Sequence, residues 1–110
     1  MVYKVIITPP AKRRLDLYIA YTLVSLKNRR AAKEIRNDAR ATKRRLSRVA
    51  TSIKICDNPI LAKHGYRKLR FKKHAFVMIY RIVEETVIVD GLFHELQDYE
   101  AIFVNEMELM

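Results

Sequence analysis

The chain reads as an α+β domain. An N-terminal strand is followed by an antiparallel two-helix hairpin, a three-stranded antiparallel meander and a short C-terminal helix (β-α-α-β-β-β-α), with the helices packed on a small sheet. Three observations point there. Residues 66–94 hold three short runs of β-branched and aromatic residues separated by turn-sized gaps. Residues 8–53 instead carry apolar residues at helical spacing. Two glycines and three prolines in 110 residues favour long regular elements with short links.

The first strand is the β-branched run at residues 2–7, VYKVII. Thr8 is placed to cap the helix that follows, and Pro9 or Pro10 suits a first turn whose amides have no partner. Leu15, Tyr18, Ile19, Thr22 and Leu26 then recur at helical spacing, which carries helix one to Leu26 or Lys27. A polar break, Lys27-Asn28-Arg29, precedes a second seam of Ala32, Ile35, Ala39, Thr42, Leu46, Val49 and Ile53. Alternating spacings of three and four describe a helix packed lengthwise on a neighbour, and the short link makes that neighbour antiparallel. Its Ala and Thr positions let the backbones approach closely. Asp57-Asn58-Pro59 is expected to stop this helix, because proline drives the preceding residue out of helical geometry.

After a loop ending at Gly65, strands are expected at residues 66–71, 75–82 and 86–94. Residues 72–74 and 83–85 are short enough for hairpin connections. Along the middle strand Phe76, Met78, Tyr80 and Ile82 on one face, and Val77 and Ile79 on the other, are all apolar. Both faces are therefore covered. Residues 97–105 form a short terminal helix or an ordered tail.

Length and composition bound the rest. One domain with a modest core is expected, and half of the residues are hydrophobic, too many for a disordered tail. A single cysteine, Cys56, leaves no partner for a disulfide or a Cys-based zinc site. His64, His74 and His94 fall in different loops and no carboxylates repeat at ligand spacing, so no metal or cofactor is expected. The opening run is too short for a signal segment and no apolar run reaches membrane length. A cytoplasmic protein is expected.

The net charge of +10 is unevenly placed. Residues 1–54 carry +12 and residues 66–81 carry +6 with no acid, whereas residues 82–110 carry −8 with no base. Such separation favours a polyanion or an acidic protein as partner. Arg67, Lys68, Arg70, Lys72, Lys73 and His74 form a dense basic hairpin and are read as target-binding, against the plainer reading of a solvated sheet edge. Strand alternation puts Arg67 on one face and Lys68 and Arg70 on the other. Arg36, Arg40, Lys43, Arg44, Arg45 and Arg48 on helix two have two readings, a solvated face or a second binding surface.

Three residues after the last strand invite chemistry. An imidazole is the side chain suited to general acid or base work at neutral pH, so His94 is a candidate for that role, or it is a strand-end histidine bonded to Asp98 or backbone. Glu95 is a candidate base near a 2′-hydroxyl, or a solvated carboxylate. Tyr99 either stacks on a nucleobase or packs the terminal segment onto the core.

Three segments carry a family likeness: VYKVIIT leading into a helix, GYRKLRFKKHAFVMIYRI, and FHELQDYEAIF. In this order and spacing the chain resembles the RelE/ParE superfamily of bacterial type II toxin–antitoxin modules. The resemblance implies a growth-arresting toxin held inactive, in a toxin–antitoxin hetero-oligomer, by a cognate antitoxin encoded beside it. RelE-like members cleave mRNA on the ribosome as metal-independent endoribonucleases (mRNA interferases). Carried over, that role falls to Arg81, His94, Tyr99 and Glu95, with Lys68 and Arg70 holding RNA. ParE-like members inhibit DNA gyrase and cleave nothing. Ribosome-dependent mRNA cleavage is the first expectation; the alternatives are a gyrase inhibitor or a catalytically inactive nucleic-acid-binding member. Val77 and Glu95-Leu96 stand where the nucleases usually carry arginines, cations that would stabilise charge developing on the phosphate. The whole functional reading expects the cationic rim and the His94 corner to converge on one shared concavity.

Overall fold

The structure, a computed structural model, describes residues 2–108. Its sheet has the order β1-β4-β3-β2. The meander forms as its pattern demands: β2 (Arg67–Arg70) and β3 (Phe76–Val83) are antiparallel, as are β3 and β4 (Thr86–His94). Val83 pairs with Thr86, so the β3–β4 turn is Glu84-Glu85, with Glu84 in the left-handed region at φ 56°. The opening strand, β1 (Lys4–Ile7), lies parallel to β4, with Lys4 opposite Thr86 and Ile7 opposite Val89. A shift of register at Ile79 and Tyr80 leaves Asp90 without a direct partner on β3.

The helical hairpin covers one face of the sheet. Ala11, Leu15 and Ile19 from α1 (Pro9–Ala20), and Ala32, Ile35, Ala39 and Leu46 from α2 (Arg29–Val49), pack on Met78, Tyr80, Val87, Val89 and Leu92. The opposite face is covered too. There Val77, Ile79 and Phe93 meet Leu61 of α3 (Pro59–Lys63), Tyr66, and Phe103 and Val104 of α4 (Tyr99–Glu108). Both faces of β3 are thus buried, as its unbroken apolar run requires.

Three local expectations need correction. The Thr8 hydroxyl does not cap α1; it donates to the Val89 carbonyl at 3.1 Å and ties the helix start to the sheet. Helix one is regular only to Ala20, because residues 21–25 widen into a π-turn in which the Leu26 amide reaches back to Tyr21 O. Helix two ends at Val49 and a 3₁₀ turn at Ala50–Ser52, before the proline signal. There the Ala50 carbonyl accepts the Tyr80 hydroxyl at 2.8 Å, and Ile53 is already extended. Asn58-Pro59 starts α3 instead: Asn58 Oδ1 accepts the amides of Ile60 and Leu61. Gly65, at φ 74°, then reverses the chain into β2.

Among the described residues no helix is long and apolar enough to cross a membrane. Cys56 is buried beneath β2 rather than on helix two, and burial pushes its thiol pKa up.

Candidate functional site

The residues singled out in the sequence occupy four separate places. Lys68 lies on the α4 side of β2, where its ammonium donates to the Tyr99 hydroxyl at 3.1 Å and to Glu100 at 2.8 Å and sits 5.3 Å from the Tyr99 ring centre. Its bond to Glu100 raises the Lys68 pKa. Tyr99 also stacks on Phe93, with ring centres 6.3 Å apart, so its ring packs the start of α4 onto the core. Beside them Arg70 is paired with Glu95.

The β2–β3 turn is the second place. Lys72 is exposed there, but the Lys73 and His74 amides and the His74 ring all bond to one oxygen of Asp38 on α2. Asp38 is 5 % exposed, and burial alone would raise its pKa. The His74 ring and the two amides outweigh that and hold it below the ordinary carboxylate value. Arg67 points to the opposite face from Lys68, toward the Ala50 carbonyl, as alternation requires.

Arg81 and His94 are the third and fourth places. Arg81 Nε donates to Asp90 at 2.7 Å, and the Tyr66 hydroxyl donates to the same carboxylate at 2.8 Å. The Asp90 bond raises the guanidinium pKa, while burial, with Asp90 second, pushes the Tyr66 phenol to about 12. The trio borders a hollow of about 700 Å³ under α4 that Phe103 and Met107 also line. His94 pairs with Phe76 at the other end of β3. Arg81 lies five steps along the strand from Phe76, which puts them roughly 17 Å apart and on opposite faces. The His94 ring packs edge-on against Phe76, 5.1 Å between centres, and its Nδ1 accepts the Leu96 amide at 3.1 Å. When neutral, the ring therefore carries its proton on Nε2. The His94 amide meets Tyr18 and Gln97 rather than Asp98.

The expected convergence of the cationic rim and the His94 corner on one concavity is not found among the described residues. His94 and Arg81 face different sides of the sheet, and of the β2 cations Lys68 and Arg70 are paired with Glu100 and Glu95, while Arg67 meets only the Ala50 carbonyl. Nothing in the sequence pointed to Asp38 or Asp90, because each meets its partner only through the fold; Gln97 stands in the polar cluster that follows the last strand, and there it meets the His94 amide and the Tyr18 hydroxyl. The cations of the sequence with no ion pair among the described residues include Arg36, Arg40, Lys43 and Arg44, in a row on α2.

Comparison with known proteins agrees with this architecture. A solved structure titled "Chromosomal ParDE TA system from P. aeruginosa" is similar at a TM-score of 0.68 and 18 % identity, covering 84 % of this chain and 96 % of that one. No curated protein matches at a significant level. The family model described as "ParE toxin of type II toxin-antitoxin system, parDE" matches residues 5–99. This chain belongs to the ParE toxin family of type II toxin–antitoxin systems.

Proposed function

We propose that this toxin acts without cleaving RNA, by binding and inhibiting DNA gyrase, and that a cognate antitoxin neutralises it by covering its surface. One observation carries the choice of target: His94 and Arg81 stand at opposite ends and on opposite faces of β3, each engaged by its own neighbours. Phosphoryl chemistry needs cations and a proton-transfer group around one phosphate, and a separation of this size argues against that arrangement. A stoichiometric inhibitor needs only a rigid surface, which a sheet buried on both sides supplies. The resemblance to ParE-like members favours the same reading.

Induction of the chain without its antitoxin tests it. Growth arrest with an SOS response, trapped gyrase–DNA complexes and intact mRNA is the expected result, and His94→Ala should arrest growth as the parent does. Codon-linked mRNA cuts in arrested cells, abolished by His94→Ala, would overturn the proposal in favour of ribosome-dependent cleavage.

A further inference from the structure

The hollow of about 700 Å³ under α4 has the size of a small-molecule site, and Pro10, Tyr66, Phe103 and Met107 give it an apolar lining. Two of its polar side chains are occupied within the chain. The Thr8 hydroxyl donates to Val89 O, and the Glu106 carboxylate is paired with Arg14. Arg81 and Asp90 keep open valences. Both hydrogen bonds to Asp90, from Arg81 Nε and from the Tyr66 hydroxyl, fall on Oδ2. Among the described residues Oδ1 accepts none, and the guanidinium, which also neighbours the Tyr66 hydroxyl, keeps both Nη groups without a hydrogen bond of normal geometry. The side-chain polar atom that is both enclosed and unbonded there is Arg67 Nε, so Oδ1 and the Nη groups open onto accessible space.

The sheet is bent to put these atoms there. Val89 and Leu92 both belong to the core beneath the helical hairpin, so Asp90 and Gly91 share the α4 face where strict alternation would place one residue. The register shift opposite Ile79 and Tyr80 is what turns Asp90 to that side, beside Arg81. A bulge that re-aims one carboxylate at the wall of a hollow is a costly way to make an internal clasp, since a clasp needs neither the hollow nor the open atoms.

We propose that this hollow binds the guanine base of a free nucleoside or nucleotide. A carboxylate on Nε fixes the plane of the guanidinium and leaves Nη1 and Nη2 as a fork of parallel donors. Guanine sets two acceptors side by side, N7 and O6, with an N–H donor next to O6. The fork matches N7 and O6, and Asp90, on the Nε flank, offers Oδ1 to N1–H. Adenine alternates acceptor, donor and acceptor along this edge and sets its amino group against the fork; a pyrimidine has no N7. The apolar lining suits the faces of the base. A hollow of this volume holds a whole nucleoside, which favours a free molecule over a base joined on both sides to a strand.

Titration of the full chain with guanosine 5′-monophosphate, followed by calorimetry and amide NMR, tests the proposal. Saturable binding that shifts the amides of Tyr66, Arg81, Asp90 and Phe103 is expected, at least about tenfold tighter than for adenosine 5′-monophosphate. 7-Deazaguanosine 5′-monophosphate, which lacks N7, should bind about fivefold or more weakly. Arg81→Lys keeps the charge and loses the fork, and Met107→Trp fills the hollow without touching the ion pair; each should weaken binding by about tenfold or more. The ligand series uses the parent protein alone, so a variant that fails to fold leaves the test intact. No saturable binding at millimolar nucleotide overturns the proposal, as does equal affinity for the adenine nucleotide or for the deaza analogue. Binding that survives in both folded variants overturns it too. A guanine-bearing single-stranded oligonucleotide that binds this hollow where the mononucleotide does not would overturn the free nucleotide as its source. Growth arrest and gyrase trapping are separate readouts, so the gyrase proposal and this one fail independently.

Discussion

Asp38 Oδ2 lies 2.9 Å from His74 Nδ1 and 2.9 Å from the His74 amide, and so joins the middle of α2 to a turn thirty-six residues further along the chain. With the Lys73 amide at 3.0 Å, one buried oxygen holds three donors. Truncating it leaves the turn's amides without their acceptor. Asp38→Ala is therefore expected to cost about 3 kcal/mol, read as a lower urea midpoint with unchanged slope. His74→Ala, which keeps both amide bonds, should cost roughly 1 kcal/mol.

The same contact makes a pH prediction. Asp38 has a folded-state pKa below its ordinary value, so its contribution is complete above about pH 4 and is lost as pH falls through the folded value. The melting temperature of the parent should fall more steeply on acidification below about pH 4 than that of Asp38→Asn, which has no such proton to take up. Parallel acid limbs for the two proteins would contradict this origin.

Gly91 is small because α4 leaves no room there. A Cβ at this position would meet the Phe93 ring at 2.9 Å and the Phe103 ring at 3.3 Å. Gly91→Ala should destabilise by about 1–3 kcal/mol. The clash falls first on Phe93 and then on Phe103, both in the core beneath α4, so amide exchange in α4 should rise more than in α2, and uniform loss of protection would point elsewhere.

Tyr80→Phe tests the end of α2. The hydroxyl is fully buried and donates to Ala50 O at 2.8 Å, where the Arg67 guanidinium also lies at 3.5 Å. Losing it should cost about 1–2 kcal/mol in thermal unfolding. Burial pushes the Tyr80 phenol to about 12, so the parent should also ionise this tyrosine late in an alkaline absorbance titration.

How much of this was legible in the sequence follows from the range of the interactions. The three meander strands were placed within a residue or two because each is a β-branched run with turn residues at its ends, and both signals are local. The α2 seam was legible for the same reason, its apolar residues recurring at a fixed step. The end of α2 was not: Asn58-Pro59 is a valid helix signal, but it belongs to the next helix, and the true stop is imposed by a carbonyl engaged from β3. The pairing around the candidate site was not legible, because it acts at a distance. Lys68 and Arg70 look like free cations in a run with no acid, yet Glu100 and Glu95 reach them from the far end of the chain. Asp38, a lone acid three residues beyond Ile35, carries no local mark of the turn it clasps.

The parallel contact between β1 and β4 also has a consequence for synthesis. The first strand leaves the ribosome early, but the segment it must lie against begins at Thr86. At ordinary elongation rates of about 5–20 residues per second, roughly 4–16 s pass before that partner exists. Nascent or prematurely terminated chains therefore lack a completed sheet, and a cell beginning to make this protein holds only unfinished, harmless copies for that interval.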